Sequence, residues 1–239
     1  MKKGSQPRKF IGTVLFMVGI LLGALLVGGL AWSDFEAIFY GLPKLTSNPL
    51  PGFSCPALMT RNETASLRAT LRNETDRPIA PVVRVEISTA GLPQSERSKV
   101  ALEPGESIRL AWPVSPQNID LNWFIFAKVY RYPAYQTQLA EATCGILVLD
   151  VPFLKGGVLL GLWLGASLIC TLAGLWMLEP RHVVPDQKVS IAMLRRMLAL
   201  AMLIGLIFGL QGLWGPGVIA LVVIISLMTS MLFLFLAEN

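Results

Sequence analysis

The chain has 239 residues, of which 54% are hydrophobic and 15% charged, and its mean hydropathy is +0.60. Soluble globular domains carry about 25% charged residues, so this composition excludes an ordinary soluble protein and indicates a membrane protein. The formal net charge of +5 arises from basic residues beside the apolar segments, which are explained as topology signals and lipid contacts and do not indicate nucleic-acid binding.

Four charge-free apolar segments are long enough to be transmembrane helices, because a helix of about 20 residues crosses a bilayer core of about 30 Å. They are residues 10–32, 156–178, 197–213 and 218–237. The third is the shortest, so a re-entrant hairpin is the alternative for the last two. The first exceeds the usual signal-peptide core of about 7–15 residues, which favours a retained anchor over a cleaved signal.

The basic residues predict the orientation, because cytoplasmic segments next to membrane helices carry an excess of Lys and Arg. The N-terminal residues 1–9 and the loop of residues 179–196 are both basic, whereas the turn before the last helix has no charge. We therefore expect a multi-pass protein of the plasma (inner) membrane, with both termini cytoplasmic and the central region extracytoplasmic. The basic residues concerned are Lys2, Lys3, Arg8, Lys9, Arg181, Lys188, Arg195 and Arg196.

The central region predicts a β domain. Residues 33–52 read as an interfacial segment followed by a proline-rich linker, and from residue 53 to 152 apolar and polar residues alternate in short runs separated by turn signals. The clearest runs lie near residues 66–72, 83–88, 108–114, 123–132 and 139–149. About seven short strands in roughly 100 residues predict an antiparallel, immunoglobulin-like (Ig-like) β-sandwich.

Three segments of this region carry a family resemblance: Asn73–Ile79, Val83–Ile87 and Leu102–Ser107. Together they resemble the bacterial cell-adhesion-related Ig-like modules. The resemblance covers less than half of the chain and implies a spacer or binding domain, here inserted between transmembrane helices. The antibody-type arrangement of Cys, Trp and Cys is missing.

The three cysteines support this organisation. Cys170 falls within the second apolar segment, which leaves Cys55 near the first strand and Cys144 in the last. Because the first and last strands of a sandwich can lie side by side, a Cys55–Cys144 disulfide is predicted, worth about 4–5 kcal/mol on the chain-entropy model. Two buried free thiols are the alternative, and no Cys-x-x-Cys motif indicates redox chemistry.

No motif for catalysis, a metal or a cofactor is found. The single histidine, His182, lies in the predicted cytoplasmic loop, and no glycine-rich phosphate loop is present. Glu103 and Glu106 flank a Pro-Gly turn, where solvated loop residues are expected rather than an acid–base pair. Since the predicted spans contain no Asp, Glu, Lys, Arg or His, a transporter built from this chain alone is disfavoured.

Two groups of residues are candidates for contacts. Glycines at four-residue spacing predict helix packing, either within the chain or onto a partner: Gly19, Gly23, Gly157, Gly161, Gly165, Gly205 and Gly209. In the fifth strand run, Tyr130 and Tyr132, with Tyr135 beyond them, are candidates for a partner-binding patch.

By elimination, we expect a non-enzymatic membrane protein whose extracytoplasmic sandwich binds or positions a partner, as an accessory or assembly subunit of a larger membrane complex. The alternatives are an oligomeric transport or channel component and, less favoured, an enzyme acting on an envelope or lipid substrate. The expected partners are membrane lipid and either other membrane proteins or further copies of the chain, without nucleic acid or cofactor.

Overall fold

A computed structural model describes residues 6–41, 44–91, 93–178 and 187–237. The chain divides into two compact units, one comprising Met1–Ala31 with Leu160–Asn239 and the other Trp32–Leu159. Part of the predicted cytoplasmic loop, including His182, lies outside the described residues, as do the first five residues.

Four α-helices occur in the described part of the chain, and all four are long and apolar enough to cross a membrane. They are α1 (Gln6–Phe39), α2 (Gly156–Leu178), α3 (Gln187–Leu210) and α4 (Trp214–Ala237). This is the helical half of the predicted fold class.

The boundaries of three helices differ from the sequence expectation. Helix α1 continues seven residues beyond Trp32, into the first part of residues 33–52, which the sequence predicts to be an interfacial segment and linker. Helix α3 already includes Arg195 and Arg196 and ends at Leu210. Helix α4 begins at Trp214, so Pro216 lies in its first turn, where the missing N–H of proline has no helical acceptor to lose.

The other unit is a two-sheet β-sandwich. Its described strands are β1 (Leu58–Thr60), β2 (Ala65–Arg72), β3 (Val82–Ile87), β4 (Gln94–Lys99), β5 (Ser107–Val114), β6 (Phe124–Arg131) and β7 (Ala140–Leu149). One sheet has the order β1-β7-β6-β3-β4 and the other pairs β2 with β5. The predicted Ig-like sandwich is thereby confirmed.

The core of the sandwich consists of the inward-facing residues of both sheets. Leu67 and Trp112 from the two-stranded sheet pack with Val85, Val129 and Ile146 from the five-stranded sheet. This is the burial that period-two alternation predicts.

The sheet pairing departs from the antiparallel expectation at one place. Strand β1 runs parallel to β7, with Leu58 opposite Leu147, whereas the other strand pairs are antiparallel. Just before β1, Ser54 bridges Arg68 of the two-stranded sheet. The chain therefore crosses from one sheet to the other between Ser54 and Leu58.

Candidate functional site

The outer face of the five-stranded sheet carries buried polar side chains. Because Val83 and Val85 of β3 point into the core, Glu86 points outward, and its neighbour on β6 is Lys128. Lys128 is 1% exposed, and Tyr130 and Glu141, which face each other across β6 and β7, are also buried. We call Glu86, Lys128, Tyr130 and Glu141 the polar layer. Charged residues are almost never fully buried unless they are paired.

The polar layer binds the backbone that follows the apolar part of α1. Lys128 Nζ donates to the carbonyl oxygen of Ile38 at 2.7 Å. Glu141 Oε2 accepts from the backbone N–H of Leu45 at 2.8 Å and of Thr46 at 3.3 Å. A buried charge with such hydrogen bonds is compensated, so these side chains hold the chain in place.

Burial also sets the electrostatics of the layer. It lowers the pKa of Lys128, and the charges of Glu141 and Glu86 oppose that shift. Burial raises the pKa of Tyr130, and the same two carboxylates raise it further. Glu86 is in addition paired with Arg84, with Nη2 and Oε1 2.6 Å apart. Lysine, carboxylates and phenol thus form one interacting group.

The last two turns of α1 lie directly on the sheet at Gly145 of β7. The Gly145 N–H donates to Asp34 Oδ1 at 3.0 Å, and Ser33 Oγ donates to the Gly145 carbonyl at 3.2 Å. A Cβ added at Gly145 would collide with the backbone of Ser33. Glycine at this position is therefore what permits the close approach of helix and strand.

The start of α2 is fixed to the sandwich in a similar way. The Gly156 N–H donates to Glu63 Oε2 at 2.6 Å, which satisfies one of the free donors at the helix N-terminus. A Cβ added at Gly156 would collide with the backbone of Leu58. The sandwich is thus fastened both to the end of α1 and to the beginning of α2.

The cysteine pair predicted from sequence is joined in the structure. Cys55 and Cys144, which are 89 residues apart in the sequence, form a disulfide, and their Cα atoms are 6.7 Å apart. Cys55 lies where the chain crosses between the sheets, and Cys144 lies in the core. Cys170 of α2 is a free thiol.

The tyrosine candidates occupy three different environments. Tyr130 is 0% exposed and belongs to the polar layer, so its prediction as part of a partner-binding patch is wrong. Tyr132 is half-buried and Tyr135 is exposed, with the Arg77 guanidinium 5.5 Å from the Tyr135 ring centre. The sequence could not distinguish them, because the backbone groups that bind the polar layer are 90 to 96 residues away from their partners along the chain.

The predicted helix-packing glycines also divide into two groups. A Cβ added at Gly19 would collide with Thr171 of α2, and one at Gly23 would come within 2.9 Å of Ser167 Oγ. A Cβ at Gly205 would lie 3.1 Å from Ala220 of α4, and one at Gly209 would lie 3.5 Å from Leu30 of α1. These four glycines therefore face other helices of the same chain.

The three glycines of α2 face open space. Around Gly157, Gly161 and Gly165, which we call the glycine ridge, no described atom beyond the adjacent residues and backbone of α2 lies within 4 Å of an added Cβ. Helix α2 meets α1 on a different face, which includes Gly174, where a Cβ would come within 2.7 Å of the Phe16 side chain. Gly174 falls outside the ridge's four-residue spacing, so the sequence pattern did not single it out.

The polar layer was also absent from the sequence candidates, although one signal indicates it. Lys128 is the single charge between Trp123 and Tyr130, in a run that reads as a central strand buried on both faces. A lysine in such a strand requires a buried partner. Among the described residues, no group of three or more His, Cys, Asp or Glu side chains is placed to hold a metal ion.

No family model and no curated protein matches this sequence. Among solved structures, the CARDB domain of the PF1109 protein from Pyrococcus furiosus is similar over 46% of this chain and 99% of that domain, at 16% identity and a TM-score of 0.33. Two β-glucosidases, from Erythrobacter marinus and Listeria innocua, are similar at 23% and 17% identity, each over 41% of this chain and 15% of their own length, with TM-scores of 0.28 and 0.29. The similarity to CARDB is distant, and the fold assignment rests on the strand order and core described above.

Proposed function

We propose that this chain is a non-enzymatic, multi-pass subunit of a larger membrane complex, and that it binds a transmembrane helix of a partner protein along the glycine ridge of α2. The observation that supports this proposal is the open face at Gly157, Gly161 and Gly165. The sandwich then serves to position the complex on the extracytoplasmic side.

The glycine ridge supports the proposal of a partner helix because glycine allows close packing of helices inside a membrane. Helices in lipid associate through close packing, and small residues at four-residue spacing let two backbones approach each other. Glycine has a lower helix propensity than alanine by about 1 kcal/mol in aqueous helices. The three glycines of the ridge therefore lower the stability of α2, and no packing contact within the described chain compensates for this. Exposed Val158, Leu162 and Ile169 border the ridge and offer side chains to an incoming helix.

The fastening of the sandwich supports the positioning role. Asp34 and Lys128 bind the end of α1 to the sheet, and Gly156 seats the start of α2. These hydrogen bonds order the chain at both of its connections between the sandwich and the apolar helices. Tyr135 and the half-buried Tyr132 remain accessible to the soluble part of a partner.

The orientation follows from the charge distribution and belongs to the proposal. Basic residues near the N-terminus and at the start of α3 favour the cytoplasm for those regions, which would leave the sandwich outside the plasma membrane. We propose both termini as cytoplasmic on the same ground.

Native purification of the tagged chain from its own membranes, followed by mass spectrometry, tests the proposal. We expect a different membrane protein to co-purify in stable stoichiometry, and Gly161→Leu to lose it because the leucine side chain separates the two helix backbones. Ala166→Leu is the matched control, since Ala166 is also exposed on α2 but lies about 140° around the helix from Gly161.

Two results would contradict the proposal. Equal recovery of the partner with Gly161→Leu and with the wild-type chain would show that the ridge does not bind it. A closed ring of identical copies, with no other protein, would favour the transport or channel alternative instead.

A further inference from the structure

One end of the sandwich lies where the chain enters the membrane span α2. Gly156, the first residue of α2, is held by Glu63 and packs against the backbone of Leu58 and Met59. The β2 residue Ala65 is on this side of the sandwich, whereas Arg72, at the other end of β2, is at the distal side. The end that contains Glu63 is therefore the end from which the chain continues into α2.

A tight turn projects from this same end. The Trp123 N–H donates to the Asp120 carbonyl at 3.3 Å, and the two central residues, Leu121 and Asn122, have φ values of 49° and 63°. Two positive φ values with this hydrogen bond define a type I′ turn. The Val148 N–H donates to the Trp123 carbonyl at 2.7 Å, which places the turn beside the end of β7.

A contact from the loop after β1 fixes the position of the turn. Arg61 Nη2 donates to the Asn122 carbonyl at 2.9 Å, and the Arg61 N–H donates to the Leu149 carbonyl at 3.2 Å. Asn122 and Leu149 are thus joined to the same residue. From Leu149, the chain reaches Gly156 in seven residues.

Three large apolar side chains are exposed at this end: Leu121 at 58%, Trp123 at 52% and Phe153 at 93%. We call them the apolar tip. A leucine in the left-handed region costs about 1–2 kcal/mol, and Asn-Gly is the sequence that type I′ turns favour. Leucine at position 121 is therefore unfavourable both for the turn geometry and for solubility in water. This indicates that the Leu121 side chain contacts an apolar environment outside the chain.

We infer that the apolar tip inserts into the interfacial layer of the bilayer that α2 crosses. Phe153 precedes Gly156 by three residues, so at most about 11 Å of extended chain separates it from the start of the span. Tryptophan prefers this layer, and apolar side chains of surface-bound proteins enter it by about 5–10 Å.

The charged residues near the apolar tip indicate which kind of lipid surface it would bind. Arg61 and Lys155 are offset by the carboxylates of Asp120 and Asp150. Without an excess of positive charge, attraction to anionic lipid is not what holds the tip. The binding surface is the apolar-to-polar boundary of a phospholipid bilayer, irrespective of the headgroup charge. Such a contact would fix the sandwich against the membrane independently of any protein partner.

Spin labelling of the full chain in phosphatidylcholine vesicles tests the inference. The label is attached to Leu121→Cys in a Cys170→Ala background, where Cys55 and Cys144 remain disulfide-bonded. Collision of the label with oxygen, which partitions into lipid, is compared with collision with a water-soluble nickel chelate present on both sides. The matched control is Ile108→Cys, because Ile108 is an exposed aliphatic residue in the distal half of β5.

At position 121 we expect a severalfold loss of collision with the chelate and a gain with oxygen, relative to position 108. Equal chelate collision at the two positions would overturn the inference.

A second arm separates membrane contact from folding. Leu121→Asn relieves the turn strain, so the sandwich should resist denaturant in detergent at least as well as the wild type. A label at Trp123→Cys should nevertheless become more accessible to the chelate in vesicles when residue 121 is Asn. An unchanged accessibility would mean that Leu121 does not reach the lipid.

Discussion

Gly145 is the residue whose identity depends most directly on a distant part of the chain. Its N–H binds the Asp34 carboxylate and its Cα lies against the backbone of Ser33. No local rule requires glycine there, because Gly145 has no positive φ and lies within a strand. The sequence alone therefore offers no reason for this glycine, and only the packing of α1 on the sheet supplies one.

Gly145→Ala should destabilise the sandwich by about 1–3 kcal/mol, because the added methyl group forces helix and strand apart. Chemical denaturation of the detergent-solubilised chain measures the change. Gly91→Ala is the control, since a Cβ there meets no described atom, and it should stay within about 0.5 kcal/mol of wild type. Equal effects of the two substitutions would contradict the close contact at Gly145.

Lys128 carries the positive charge of the polar layer. Lys128→Met should cost about 3–5 kcal/mol, because it removes the buried positive charge that faces Glu141 and leaves the Ile38 carbonyl oxygen without its donor. Lys99→Met on the exposed strand β4 should have little effect. Denaturation midpoints of the two variants provide the measurement, and a Lys128→Met chain as stable as wild type would remove the electrostatic role of the layer.

Tyr130 gives the layer a pH dependence. Its pKa is raised above the ordinary value of 10.0 by burial, so between that value and the folded-state pKa the unfolded chain loses the phenol proton while the folded chain keeps it. The stability contributed by Tyr130 is fully present below pH 10.0 and declines as the pH rises above it. Tyr130→Phe should therefore show a shallower loss of stability than wild type from pH 9 to 11, and identical slopes would contradict the assignment.

At the scale of elements, the strands that alternation identifies are those with one buried face. Strands β2, β3 and β5 to β7 match the predicted runs within a few residues. Strand β4, with the sequence Gln-Ser-Glu-Arg-Ser-Lys, contains no apolar residue and is defined by its pairing with β3. Strand β1 has three residues and depends on β7 in the same way. Such edge strands have no periodic signal of their own.

The end of α1 illustrates the same limit for helices. Ser33, Asp34 and Glu36 interrupt the apolar run, so the sequence indicates that the span ends near Trp32. The helix continues because Ser33 and Asp34 find hydrogen-bond partners at Gly145. Tertiary contacts therefore extend an element that local composition would terminate.

The disulfide connects the segment that crosses between the sheets, at Cys55, to Cys144 of strand β7. Replacing Cys55 and Cys144 together by serine should cost about 2–5 kcal/mol of sandwich stability. Denaturation curves with and without reductant provide the measurement, and Cys170→Ser should change neither curve. If reductant left the wild-type midpoint unchanged, the bridge would not be the one that stabilises the domain.

At the scale of the whole molecule, composition predicted four membrane helices and one exported sandwich, because charge-free segments of about 20 residues partition into lipid. The helices and the sandwich are both present. The sequence could not tell which glycines are covered, since four-residue spacing is the same for internal and external packing. The difference between the glycine ridge and Gly19, Gly23, Gly205 and Gly209 is a property of the assembled helices.

The central claim is that the sandwich lies on the extracytoplasmic side of the membrane. The proposed positioning of a partner by the sandwich depends on this location. Membrane-impermeant maleimide applied to spheroplasts, in a Cys170→Ala background, tests it most directly. Ile108→Cys in the sandwich should be labelled without permeabilisation, and Lys188→Cys at the start of α3 only after it. Labelling of Lys188→Cys in sealed spheroplasts, with Ile108→Cys protected until permeabilisation, would contradict the account.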